Sequence, residues 1–184
     1  MLIPAAVILL SGACSIRQYV PAPGVATESR YALAKVDSLL FAIRPQSYSG
    51  ANGAVGNRFF PIYLRVKNTG MQKRRIETGS FGIIAGGQQF DSVPLELILA
   101  NMRQASLLKD YQNPFAISDD NTIVRDEQKE QDAYYDLISN SFSFGELLPG
   151  AIKEGYLFYD SRLDGVAAFE MDVLGKRVGF ILDK

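Results

Sequence analysis

The chain has 184 residues, enough for one domain of ordinary size and too few for two comfortable ones. With 47% hydrophobic, 21% charged and 11% aromatic residues it has the composition of a chain that buries a core, which excludes a disordered tail, a coiled coil and a polytopic membrane protein. A formal charge of -1 supplies no global basic field for a nucleic-acid backbone, and the absence of histidine removes Ser-His-Asp triads, Cys-His dyads, His-ligated metals and imidazole pH switches together.

Leu2 to Leu10 is an apolar run of nine residues. A membrane-spanning helix needs about 20 residues, whereas the core of a signal peptide needs about 7–15. Ser11, Gly12 and Ala13 follow, then Cys14, the sole cysteine. One cysteine cannot close an intramolecular disulfide, and a free thiol is unusual in an exported protein. The bland alternative is a buried N-terminal strand ending in a free thiol. The segment LSGAC resembles the lipobox of bacterial lipoproteins. That resemblance implies a signal peptide over residues 1–13, lipidation of Cys14 and attachment to a membrane through the acyl chains. Ser15 is not the aspartate that holds such lipoproteins at the inner membrane, so the resemblance further implies an outer-membrane protein facing the periplasm. Residues 14–30 read as the lipidated cysteine and a flexible tether, since Pro21, Pro23 and Gly24 interrupt any period. Sixteen extended residues from Ser15 would reach up to about 50 Å.

The body, 31–184, reads as strands, helices and strands again. Leu39, Phe41 and Ile43 alternate with Ala42 until Pro45. SYSGANGAVGN, with Gly50, Gly53 and Gly56, reads as a mobile connection. In FFPIYLRVKNTG, Phe60, Ile62, Leu64 and Val66 share one face, and Tyr63, Arg65 and Lys67 the other. Pro61 belongs near that strand's start or on an edge. Phe81, Ile83 and Ala85 alternate again before a Gly86-Gly87 hairpin.

The period then changes. Asp91 and Ser92 are candidate N-caps, Pro94 suits a first helical turn, and Leu95, Ile98, Leu99 and Met102 recur at helical spacing towards Lys109. Thr122 to Asn140 is a second helix candidate with a weak apolar stripe. After the turn at Leu148-Pro149-Gly150, GYLFYD reads as a strand. The chain finishes in a hairpin with Gly175-Lys176 as a type II′ turn.

Six or seven short strands joined by turns predict a mainly β chain, an antiparallel immunoglobulin-like sandwich with a helical insertion at about 91–144. YLRVKNTG, the later LLPG and GYLFYD together resemble a loosely defined group of immunoglobulin-like domains carried by bacterial lipoproteins.

Little in the sequence points to catalysis. The glycines near Asn52 lack both the P-loop lysine and the G-x-G-x-x-G spacing, so a hairpin tip is the plainer reading. Asp119, Asp120 and Asn121 lack a calcium-loop register. Lys73, Arg74 and Arg75 could meet anionic lipid, but a turn kept soluble by charge is the plainer account of them. Ser80 and Ser92 sit in no nucleophile elbow. The sequence thus points to a non-enzymatic, lipid-anchored cell-envelope protein acting as an interaction or assembly module. No cofactor, metal or nucleic acid is expected, and the partner would be another envelope protein. The candidate partner-binding residues are Tyr134 and Tyr135, aromatic and on the second helix, with Asp126, Glu127 and Glu130 on its polar side. The alternative is a periplasmic binding protein for a small or lipidic ligand held between the sheet and the insertion.

Overall fold

The computed structural model describes residues 18–50, 55, 58–102 and 120–183, with the backbone alone for 120–127 and 130. Strand β5 (Phe59–Asn68) is built on the alternation its sequence carries: Phe60, Ile62, Leu64 and Val66 are buried, Arg65 and Lys67 exposed. On one side it pairs along nine residues with β10 (Ile152–Asp160). On the other it pairs with β4 (Leu39–Pro45), which continues through β3 (Tyr31–Val36) to β2 (Thr27–Glu28). All these pairings are antiparallel, and the sheet order is β10-β5-β4-β3-β2. Pro61 lies near the start of a central strand. Its carbonyl accepts the Gln46 N–H, so its missing donor faces the side on which β4 has just ended.

The second sheet has the order β1-β12-β11-β7-β8, from β1 (Tyr19–Pro21), β7 (Phe81–Ala85), β8 (Gln88–Asp91), β11 (Ala168–Val173) and β12 (Lys176–Leu182). Gly86 and Gly87, both at positive φ, close the β7–β8 hairpin as expected. The last hairpin differs from expectation. Val173 pairs with Lys176, so the loop is Leu174-Gly175, and φ values of 53° and 85° make it type I′. Leu174 is held in the left-handed region because its side chain packs on the core and its N–H donates to the Ser80 carbonyl at 3.1 Å. Strands β6 (Arg74–Ile76) and β9 (Gly145–Leu147) pair antiparallel as a separate two-stranded ribbon.

The fold is therefore mainly β, an antiparallel sandwich with a helical insertion. Phe41, Ile62 and Leu64 from one sheet meet Phe81, Ile83, Met171 and Phe180 from the other in one core. Aromatic rings meet edge-on within it, as Phe41 does with Phe81 at 6.2 Å. The folded body begins earlier than the composition suggested. Residues 19–30, read as tether, supply β1 and β2, and Tyr19 is buried against Phe60 and Phe169. Its hydroxyl lies 3.0 Å and 2.9 Å from the carbonyls of Leu163 and Val166. The physical reason is that Pro21 sits at the end of an edge strand, where a missing donor costs nothing. Residues 1–17, which include the expected signal peptide and Cys14, lie outside the described residues.

The insertion forms a third layer. Helical residues 95–102 make α1, and α2 is Asp120–Asn140. Asp91 and Ser92 do not cap α1: Asp91 ends β8 and accepts from Gln89, while Pro94 opens the first turn by accepting from Leu97 and Ile98. The two helices bury Ile98 and Leu137 against Tyr156 and Phe158 on the outer face of β10. Strand β10 is thus covered on both faces, which explains its unbroken apolar run from Tyr156 to Tyr159.

Candidate functional site

The surface that the insertion builds starts from a tyrosine that the sequence pattern places in a loop. Tyr48 and Val55 belong to the glycine-rich connection, yet both are buried beneath the helices, Tyr48 edge-on to Tyr156 at 5.1 Å. The Tyr48 hydroxyl donates to Asp136 Oδ2 at 2.6 Å, and Asn140 Nδ2 donates to Asp136 Oδ1 at 2.9 Å. Burial, and then the Asp136 carboxylate, push the Tyr48 phenol well above the ordinary tyrosine range. The bond is thus a latch between the loop and α2. Gly50 is required beside it, because a Cβ there would collide with both Tyr48 and Asp136. Of the glycine trio, Gly53 and Gly56 lie outside the described residues.

The helix α2 carries the predicted partner residues. Tyr134 is half-buried, and Tyr135 is 59% exposed with its ring 6.4 Å from that of Tyr134. One tyrosine packs partly inward while its neighbour faces solvent, as adjacent helical positions require. The side chains of Asp126, Glu127 and Glu130 lie outside the described residues. Ile138, which the sequence reading missed, is 41% exposed one turn beyond Tyr135. The i, i+3 spacing was the available signal: it puts Tyr135 and Ile138 on the same outward stripe.

Between the sheet and the insertion runs a cleft of about 250 Å³. Its lining includes the aromatic rings of Phe142, Phe144, Tyr156 and Phe158 together with Ser92 and Glu96. Among the described residues Glu96 is the one charged residue lining it, so this lining favours a neutral or cationic group over an anion. No sequence motif announced this site, because its walls come from Thr78, the segment between β8 and α1, the start of α1, the segment after α2, and β10.

Lys73, Arg74 and Arg75 each meet a carboxylate, at Glu146 (2.9 Å), Asp37 (2.8 Å) and Glu77 (3.4 Å). Hydrogen bonding to Lys73 holds the Glu146 carboxyl below its ordinary range. The side chains of the acidic group at Asp119, Asp120 and Asn121 lie outside the described residues. Among the described residues no cluster of three or more acidic or cysteine side chains is placed to hold a metal ion. No described helix is long and apolar enough to cross a membrane. No family model matches the chain, and neither the curated proteins nor the solved structures contain a match to it.

Proposed function

We propose that this chain is a non-catalytic, lipid-anchored protein of the cell envelope, held at the outer membrane by acyl chains on Cys14, whose sandwich displays the helical insertion to another envelope protein. The observation that carries the interaction role is the outward Tyr135–Ile138 stripe on a helix whose opposite side is committed to the sheet. An aromatic and an aliphatic side chain standing together in solvent favour a contact surface. The acidic balance of residues 91–144, ten acidic against four basic, suits a basic partner. Membership of the lipoprotein immunoglobulin-like group is supported by Asn68, whose amide joins the NTG turn to the LLPG turn through the Leu147 carbonyl at 3.1 Å.

Two measurements test the two halves. Mass spectrometry of protein expressed from its own start is expected to show loss of residues 1–13 and an acyl mass on Cys14; an intact N-terminus with a free thiol overturns the anchor. For the interaction, Tyr135→Ala with Ile138→Ser, and charge reversal at Asp126, Glu127 and Glu130, are expected to abolish partner recovery while leaving the melting temperature unchanged. Recovery that merely follows melting overturns it.

The cleft favours a second reading, a binding protein for a small ligand between sheet and insertion. Its aromatic rings and the Glu96 carboxylate suit an ammonium group. Saturable shifts of the Ser92, Glu96 and Phe142 amide signals on addition of an alkylammonium salt, lost in Glu96→Gln, are the expected result.

A further inference from the structure

We propose that the end of the sandwich remote from Gln18 is a contact surface for an anionic phospholipid bilayer. Strand β5 defines the two ends. Phe60 packs on Tyr19, where the chain enters the sheets, and Asn68 lies at the opposite end.

At that far end the strand registers align Lys35, Leu40, Lys67 and Ile152 in one cross-strand row on the outer face. All four are exposed, Leu40 at 36% and Ile152 at 44%. Beside the row two turns project. Met71, in the turn after Asn68, is 94% exposed, and Leu148, in the turn before Ile152, is 60% exposed. Asn68 fixes the two turns to each other by donating to the carbonyls of Gln72 at 2.8 Å and Leu147 at 3.1 Å. Four apolar side chains therefore stand in water on a rigid base.

The charges identify what covers them. Lys73, Arg74 and Arg75, just outside the patch, are each matched by a carboxylate. Lys35 and Lys67, inside it, make no ion pair among the described residues, and the row contains no acid. Basic and apolar residues that alternate in this way suit a bilayer surface: the lysine stems lie along apolar area while the ammonium groups reach phosphates. The turn tips then enter the boundary between headgroups and acyl chains. Charge also orients the approach. Outside residues 91–144 the chain has fifteen basic against ten acidic residues, so the acidic insertion turns away from an anionic surface as the tip turns towards it. A protein pocket could receive the apolar tips, but it would have to place an anion at both Lys35 and Lys67, whereas an anionic bilayer presents phosphates across its whole surface. The inference rests on these residues and not on acylation of Cys14.

The test uses the full chain with Cys14→Ser and a single new cysteine, Met71→Cys or, as control, Tyr135→Cys, carrying an environment-sensitive fluorophore. Vesicles containing phosphatidylglycerol are expected to shift the emission of the label at 71 to the blue and to leave the label at 135 unchanged. Pure phosphatidylcholine vesicles are expected to do neither, and raised salt to weaken the response. Lys35→Gln and Lys67→Gln are each expected to lower the vesicle affinity about fivefold with unchanged melting. A label at 71 that stays in water at saturating anionic lipid overturns the proposal. So does a blue shift that is equal on neutral vesicles, equal at position 135, or indifferent to both lysine substitutions.

Discussion

Asn68 is the one polar residue fully buried among the described residues, and every group it carries is used. Its amide donates to Gln72 and Leu147, its side-chain oxygen accepts the Gly70 N–H, and its backbone bonds Ala151 and Gly150. Asn68→Ala removes the donors and leaves the buried Leu147 carbonyl without its partner, a cost of about 1–3 kcal/mol, measurable by urea unfolding. Leu64→Ala is expected to cost about 2–5 kcal/mol, as truncations of fully buried leucines do. Arg65→Ala should stay within about 1 kcal/mol, because its ion pair with Glu154 is half in solvent. The tyrosines set the alkaline limit. Burial raises the phenols of Tyr48, Tyr63 and Tyr159, with Asp136, Glu154 and Asp91 respectively adding to it. A folded-state pKa above the unfolded value of about 10 gives stability that is whole below that pH and is lost as pH rises through the folded values. Unfolding followed by tyrosinate absorbance is therefore expected to set in above pH ~10 and to release these phenols together with the fold. Tyr159→Phe should be nearly neutral at pH 7, since among the described residues that buried hydroxyl has no hydrogen-bond partner.

At the scale of elements, β10 and the segment after α2 depend on Gly155. A Cβ there would stand 2.6 Å from the backbone at Ser141 and Phe142, where the Phe142 N–H bonds the Tyr156 carbonyl. Gly155→Ala is thus expected to lower the melting temperature and to increase amide exchange at Phe142, whereas Gly79→Ala, with open space around it, should not. The legible elements were those long enough to show a period. β5 carries four alternating apolar residues and β7–β8 carries its own turn residues, so both were read correctly. The strands β1, β2, β6 and β9 have two or three residues each, too few for a period, and among the described residues twelve strands stand where six or seven were expected. The Leu174-Gly175 turn was misplaced by one residue because a leucine at positive φ is stable only through tertiary packing, which sequence does not display. The site was less legible than the fold. Tyr135 could be read from its helix, but the Tyr48–Asp136 bond spans 88 residues, and the far-end row exists only through the registers of four strands.

For the molecule as a whole, the early start of the fold changes what an anchor at Cys14 would do. A tether reaching to Arg30 would let the domain range about 50 Å; with β1 beginning at Tyr19, five residues limit it to about 17 Å. Trypsin is accordingly expected to leave the Arg30–Tyr31 bond intact under native conditions, and rapid cleavage there would restore the long tether. The pairing of β1 with β12 also fixes how the domain bears load. Tyr19, Val20 and Pro21 lie antiparallel to Leu182, Ile181 and Phe180, and the Asp183 N–H bonds the Gln18 carbonyl. A pull on Gln18 directed away from the Asn68 end acts along β1, so its bonds to β12 and the hold on the Tyr19 hydroxyl share the force in parallel. A pull directed across the sheet loads them one at a time. Held at both ends, this sandwich is sheared and must break its first strand at a single step; held at one end and dragged sideways, it unzips.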